Sequence, residues 1–454
     1  MSSEIAVMKF GGTSVENAAA FERVARIVHS FERAAPVVVV SAMSGVTDAL
    51  IKSSRMAARG EIAEARQCVE DHLDRHLKVT SGLGAVARAR MRRLVGDNRR
   101  EIIELLDLAA GSRSMTAESQ DTITSHGERL SANLLTIVLE EHGIPAAYAD
   151  ARRCILTNED YGSAKPLIQE TGRRTRAEIG PLLESKKVPV LAGFIASTRN
   201  GATTTLGRGS SDYTATLVSA ALGARETQIW TDVNGVLTAD PDVVKTARTV
   251  AELSYAEASE LARLGARVLH AGMIRPLVER GIPLRICNSR APEEKGTLVR
   301  ACTEASPASV KAIAHKTNLT AIEITSTKEI ASNGFLPAIR RILDRHKTPM
   351  EVIGRSEVSV SLACTDEEAL PSIIPDLKRL GSVQIAEGRA VVGCVGDGLN
   401  TAANGATKFL NAIKDVDPRL IWRSTSDVNL MSIVDADSVR GVIRNLHHAI
   451  FERD

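Results

Sequence analysis

Short β-branched apolar runs alternate with longer helical patterns along the first 290 residues, and few folds accept such a chain. Ile5–Phe10, Pro36–Ser41, Val188–Phe194, Thr227–Trp230 and Pro283–Cys287 read as strands. Asn17–Arg33, Tyr213–Leu222 and Ser254–Leu264 read as helices, and a mostly helical stretch runs from about Thr47 to His142. Runs that are apolar at every position are strands buried on both faces. Alternating with helices, they imply an α/β fold with a parallel-rich central sheet covered by helices. The longest runs, Pro36–Val40 and Val188–Ala196, fall far short of the ~20 residues that span a bilayer.

The character changes between residues 288 and 310. Asn288-Ser289-Arg290-Ala291-Pro292-Glu293-Glu294-Lys295-Gly296 and Glu304-Ala305-Ser306-Pro307 are polar and turn-rich, which places a boundary there. A weak repeat follows. Ala331-Ser332-Asn333-Gly334 begins a helix ending near His346, then strands Pro349–Gly354 and Glu357–Cys364 and a helix, Glu367–Leu380. Ala402-Ala403-Asn404-Gly405 begins the same series, with strands Arg419–Ser424 and Val428–Val434 and a helix Ser438–Phe451. Two βαββαβ units fit this pattern. The second runs out of chain before its last strand, which Val310–His315 can supply, intertwining the units. The expected domains are 1–300, then 310–389 with its first strand shared, then 390–454.

A net charge of +2 and 3% aromatic residues offer nothing to a nucleic acid or a charged membrane surface. Cys68, Cys154, Cys287, Cys302, Cys364 and Cys394 are scattered without a C-x-x-C pair, as expected of free thiols in a reducing cytoplasm. Met1-Ser2-Ser3-Glu4 has neither the basic nor the apolar region of a signal peptide. His72 and His76 stand four apart in a strongly charged helix with no third ligand in view, so no metal site is expected. His447-His448 reads as surface.

Five segments carry chemistry. Met8-Lys9-Phe10-Gly11-Gly12-Thr13-Ser14 joins a strand to a helix. Consecutive glycines let backbone N–H groups approach phosphate oxygens, the helix aims its positive end there, and Lys9 adds a mobile cation. Taken alone the segment is equally a plain strand-to-helix turn, and the chain holds no Walker loop. Val38-Val39-Val40-Ser41-Ala42-Met43-Ser44-Gly45-Val46-Thr47-Asp48 is a second strand ending in small hydroxyl residues, placed beside the first loop by parallel pairing. Ser125-His126-Gly127-Glu128-Arg129-Leu130-Ser131 sits in a helix, where Glu-Arg usually marks a solvated face. Thr205-Leu206-Gly207-Arg208-Gly209-Ser210-Ser211-Asp212-Tyr213 opens another helix. Arg208 suits a two-pronged grip on a carboxylate, and Asp212 either caps the helix or orients a lysine. Ile229-Trp230-Thr231-Asp232-Val233-Asn234-Gly235-Val236-Leu237-Thr238-Ala239-Asp240-Pro241 ends a strand in a polar turn, as a nucleotide rim does.

Taken together, in this order and spacing, the five segments resemble the aspartate kinases: an amino-acid kinase fold followed by ACT regulatory units, closest to the single-function, lysine-sensitive type. The resemblance implies ATP-dependent phosphorylation of the aspartate β-carboxylate, under feedback by an amino acid. It implies that Lys9 stabilises the transferring phosphoryl group and Asp212 organises that lysine. Thr47, Glu128, Arg208 and Ser211 would hold aspartate, with Glu128 on the α-ammonium and Arg208 on a carboxylate. Gly11, Gly12 and Ser41 would line the phosphates, and Thr231, Asp232, Leu237 and Arg267 the nucleotide. The effector would meet Ser332, Gly334, Phe335, Leu336, Glu351, Ser356, Glu357 and Val358. Lysine is the first expected effector and threonine the second. Mg²⁺ would be held mainly by the nucleotide phosphates, and the ACT units would pair copies into a homodimer or a dimer of dimers.

The sequence departs from the family pattern at a few places. Arg267 stands for a lysine, Asp242 for an arginine near the phosphates, Ala271 for a proline, Glu351 for an aspartate and Arg355 for a smaller hydroxyl residue. Two other readings compete: a kinase for another amino-acid carboxylate such as glutamate, and a non-catalytic ACT sensor with a degenerate kinase half. Asp242 alone favours the second.

Overall fold

The computed structural model describes every residue except 1–4, 32–33, 208, 266–270, 302–309, 327–333, 347, 349, 356–358, 366–368, 398, 400–402, 417, 419, 424–427 and 453–454, and the backbone alone at 271, 351–353, 355, 403 and 404. The chain divides into two compact units. The first takes Met1–Val236 with Gly272–Ala301, and the second takes Leu237–Ala271 with Cys302–Asp454.

The first unit begins β1 (Ala6–Phe10), α1 (Ala18–Ser30) and β2 (Pro36–Val40), followed by four helices, α2 (Val46–Arg59), α3 (Ile62–Val79), α4 (Ala85–Ser112) and α5 (Ala117–Glu141). Next come β3 (Ala146–Ala149), α6 (Ala151–Cys154), α7 (Ile168–Glu184), β4 (Val188–Ala192), β5 (Ile195–Ser197), β6 (Thr203–Thr205), α8 (Ser211–Leu222) and β7 (Glu226–Thr231). Its strands lie in the order β3-β4-β2-β1-β7, parallel throughout. Met8, Phe10, Val38, Val40 and Val190 face a cluster with α1 and the long helices, while Val7, Val37, Val39 and Leu191 face α7 and α8. Both faces are therefore dry, which is why these strands read as unbroken apolar runs. Register aligns Phe10 with Val40 and Trp230, and Val40 with Ala192. The carboxyl ends of β1, β2, β4 and β7 thus finish along one edge, where ligands bind in open α/β sheets.

The second unit takes β8 (Glu252–Ser254) and α9 (Tyr255–Arg263), both from inside the stretch that the sequence assigns to the first 300 residues. The chain then returns to the first unit for α10 (Arg275–Val278), β9 (Leu284–Asn288), parallel to β7, and β10 (Thr297–Arg300), antiparallel to β9.

The rest of the second unit is β11 (Ala312–Ser326), α11 (Phe335–His346), β12 (Met350–Arg355), β13 (Ser359–Cys364), α12 (Leu370–Lys378), β14 (Gly381–Val395), α13 (Ala403–Ile413), β15 (Leu420–Trp422), β16 (Asn429–Asp435) and α14 (Val439–His447). One antiparallel sheet runs β12-β13-β11-β14-β16-β15. Two long central strands serve both repeats. Thr320–Thr325 pairs with β13, whereas Ala312–Lys316 pairs with Val391–Val395, next to β16. The halves have separate cores. Ile322, Ile339 and Ile373 belong to one, and Val392, Phe409, Leu430 and Leu446 to the other.

The stretch Leu237–Ala271 joins this unit because Ala239, Val243 and Val244 bury against the second of those cores. Glu257 completes a capping box with Ser254 on α9 and also accepts a hydrogen bond from the Asp397 N–H at 2.7 Å. His447 corrects the surface reading. Its ring is 1% exposed, with Nε2 3.0 Å from the Thr238 hydroxyl and Nδ1 2.9 Å from Glu452.

Candidate active site

β1 delivers Lys9 one residue before its end, in a largely buried setting. Its Nζ lies 2.7 Å from Oδ1 of Asp212, in the first turn of α8. Of the two readings of Asp212, the contact fits the one that pairs it with a lysine. The N-cap of α8 is Ser210, which makes no side-chain cap bond, and Asp212 pairs with Lys9 from the first turn. Helix α8 can come this close because residue 193, just past β4, is glycine. A Cβ there would stand 2.6 Å from the Ser211 Cβ and 3.0 Å from its Cα. Gly193→Ala is accordingly expected to destabilise the protein by about 1–3 kcal/mol and to raise the KM of the ligand that Ser211 faces, checked by thermal denaturation and steady-state kinetics.

The loops after β1 and β2 are tied together. The Ser41 N–H donates to the Phe10 carbonyl at 3.0 Å, and the Ser44 N–H to Gly12 at 3.3 Å. A cavity of about 360 Å³ opens beside them. Gly12, Ser41, Ser44, Gly45 and Thr47 line it, together with Glu128 from α5 and Phe194, Gly209 and Ser211 from the segments around β4 and α8. Phe194 holds a left-handed backbone, φ 68°, fixed by its N–H to the Thr214 hydroxyl and its carbonyl to the Leu206 N–H. Backbone strain of this kind persists where surrounding contacts over-determine it.

Glu128 corrects the solvated-face reading of its helix. Ser125, His126, Gly127 and Glu128 are all buried. Burial pushes the Glu128 carboxyl up to about 8, against hydrogen bonds that favour its ionised form. Its Oε1 accepts from the Thr47 hydroxyl at 3.2 Å, and its Oε2 is buried with no hydrogen-bond partner. A buried acid with one free oxygen lining a cavity can receive a cationic group. His126, two residues before it, is no acid–base candidate. Burial takes its pKa down to about 3, and Nδ1 is 2.7 Å from the Asn98 side chain.

At the end of β7, the Thr231 hydroxyl donates to Asp232 at 3.2 Å. The Thr231 carbonyl accepts from both the N–H and the hydroxyl of Ser289, whose Oγ lies 2.8 Å from that of Ser14. Ser14 stands in the first motif, yet its reach to the end of β9 needs the fold to be seen. Leu237 belongs to the second unit, where it bridges Thr249. Asp242 also lies there, with its side chain 90% exposed. Arg208 and Arg267 lie outside the described residues, as do Ser332, Ser356, Glu357 and Val358, and the side chain of Glu351. Of the remaining effector positions, Gly334 is exposed, Leu336 half-buried, and Phe335 buried in the core of the first repeat. A ligand at that turn would meet the backbone of Phe335 rather than its ring.

Residues 4–288 match the amino acid kinase family. The lysine-sensitive aspartokinase 3 of Escherichia coli K12 is 33% identical over 460 residues, covering 99% of this chain and 100% of the relative. The chain belongs to the amino acid kinase family, among its aspartokinases. A chloroplastic aspartokinase 3 of Arabidopsis thaliana is 32% identical, covering 99% of this chain and 82% of the relative. The crystal structure of E. coli aspartokinase III with aspartate and ADP, in its R-state, superposes with a TM-score of 0.85 at 34% identity, covering 99% of this chain and 100% of that one. The same enzyme with lysine and aspartate, in its T-state, gives 0.81 at 33%, with the same coverage. Among the described residues, no helix is long and apolar enough to cross a membrane.

Proposed function

We propose that the chain is an aspartate kinase, transferring the γ-phosphoryl group of ATP to the β-carboxylate of L-aspartate. The observation that carries this is the Lys9–Asp212 contact at 2.7 Å beside a cavity lined by a half-satisfied buried acid. In this reading Glu128 takes the α-ammonium of aspartate. Thr47, Ser211 and Arg208 fix its carboxylates, and Gly11, Gly12 and Ser41 face the phosphates. Thr231 and Asp232 would face the nucleotide, and the family resemblance assigns nucleotide contacts to Leu237 and Arg267 as well.

The chemistry needs no general base. A carboxylic acid with a pKa near ~4 is already ionised at neutral pH and attacks phosphorus as it stands. Catalysis reduces to alignment and to neutralising charge on the transferring group. Lys9 supplies that charge, and Asp212 holds its ammonium in place. Mg²⁺ would take its ligands mainly from phosphate and water, lowering the charge of the nucleotide. β-Aspartyl phosphate hydrolyses readily, so the site should exclude water.

The intertwined repeats form the regulatory half. Lysine is the proposed effector, with threonine second, at the turn holding Gly334. The sheet of the second unit is the proposed surface for a homodimer or dimer of dimers, in a cytoplasmic enzyme opening lysine, threonine and methionine synthesis. The paired Lys9 and Asp212 count against a degenerate sensor. ATP-dependent hydroxamate formation with hydroxylamine tests the reading. Aspartate should give product, with glutamate and N-acetylglutamate at least tenfold poorer; product from none of the three would overturn it.

A further inference from the structure

Asp121 lies on the same helix as Glu128, two turns earlier and on the same face, and is 2% exposed. No cation pairs with it among its recorded hydrogen bonds. Its Oδ2 accepts from the Gly162 N–H at 2.8 Å and the Thr205 N–H at 2.8 Å, and its Oδ1 accepts from the Thr205 hydroxyl at 2.8 Å. Burial raises its pKa against these three bonds, which favour the ionised form.

The two segments it binds are the two sides of one structure. The Ala164 N–H donates to the Thr205 carbonyl at 2.9 Å. The Gly162 carbonyl lies 3.7 Å from where a Cβ of Gly207 would stand, and Gly207 is left-handed at φ 93°. Gly209 and Ser211, a few residues beyond Thr205, line the same cavity as Glu128. Asp121 therefore joins the helix that carries Glu128 to Gly162 and Thr205, the segments on either side of the left-handed Gly207. A buried carboxylate with three short bonds at such a joint does more than fill space. It fixes the distance between two groups that must grip one small ligand.

We propose that Asp121 is a positioning residue for the amino-acid acceptor, setting the segment that carries Gly209 and Ser211 relative to Glu128. This rests on the aspartate kinase reading above. Its mark is selectivity between the two substrates, because the joint touches the acceptor side of the site and not the ends of β1 and β7 that face the nucleotide.

The test is steady-state kinetics of the full chain, with ADP release measured against aspartate and against ATP. Asp121→Ala is expected to raise the aspartate KM roughly ten- to hundredfold with the ATP KM within about twofold. Asp121→Asn should restore most of it. The amide oxygen can accept both N–H groups, and its NH₂ can donate to the Thr205 hydroxyl, which accepts as readily as it donates. Thr205→Val, which removes only the hydroxyl bond, should raise the aspartate KM in the same direction by a smaller factor, and it decides the matter if Asp121→Ala does not fold. An unchanged aspartate KM, or equal rises for aspartate and ATP, would overturn the proposal. A wild-type protein without aspartate-dependent ADP release would overturn the kinase reading and this proposal together. An active wild type with an unaltered Asp121→Ala variant would overturn this proposal alone.

Discussion

Lys9→Ala is expected to lower kcat by roughly 10²–10³-fold while the protein stays folded. The ammonium is pre-positioned by the Asp212 carboxylate at 2.7 Å, on a strand whose neighbours are locked on both sides. It therefore meets developing charge without reorganising first. The side chain sits at the strand's end, 12% exposed, and its removal opens no large cavity in the cluster that holds Met8 and Phe10. Circular dichroism and melting should stay close to wild type. The aspartate KM should move little, because Lys9 is not on the cavity wall with Glu128 and Ser211. Asp212→Asn keeps the cation but loosens it, so a smaller loss in kcat is expected. Near-normal turnover in Lys9→Ala would remove the phosphoryl-transfer assignment. A rise in aspartate KM with kcat preserved would move Lys9 to the acceptor side.

The sheet was legible because its chemistry is local. A strand buried on both faces must be apolar at every position, so Val37, Val38, Val39 and Val40 announce themselves. The shared central strands of the repeats were legible for a similar reason: a βαββαβ unit short of one strand must borrow it, and Ala312–Lys316 lies where that strand belongs. Long-range placement was not legible. Glu128 and Arg129 look like an exposed pair, and only the packing of α5 puts Glu128 on the cavity and leaves Arg129 half-buried beside His126 and Glu101. Val243 and Val244 sit in a polar, turn-rich stretch, and nothing nearby signals that their partners are Phe409 and Leu446. His447 failed the same way, because its partner Thr238 is distant in sequence. Asp121 gave one faint signal, a second acid seven residues before Glu128 on the same helix face. Its three donors, on Gly162 and Thr205, became visible only with the fold.

Aspartate affinity should depend steeply on pH, and Glu128→Gln should abolish that dependence. In the empty site burial raises the Glu128 carboxyl from its ordinary 4.5 to about 8, so at neutral pH the acid is mostly protonated. An α-ammonium arriving at Oε2 favours the ionised form, so binding expels a proton. Below about 8 the aspartate KM should rise by about tenfold per pH unit, and above it level off. The amide cannot ionise. Glu128→Gln should raise the aspartate KM roughly 10²–10³-fold at pH 8 and flatten the profile, with the ATP KM little changed. Stability carries the matching sign. Because the folded pKa lies above the unfolded one, this group's contribution is complete below pH 4.5 and is lost as pH rises through 8. The glutamine variant should therefore gain in melting temperature relative to wild type as pH rises from 5 to 9, while losing aspartate affinity over the same range. A parallel pH profile in the two proteins would show that Glu128 is not the group that meets the ammonium. A flat wild-type profile would show that its carboxyl is already ionised in the empty site.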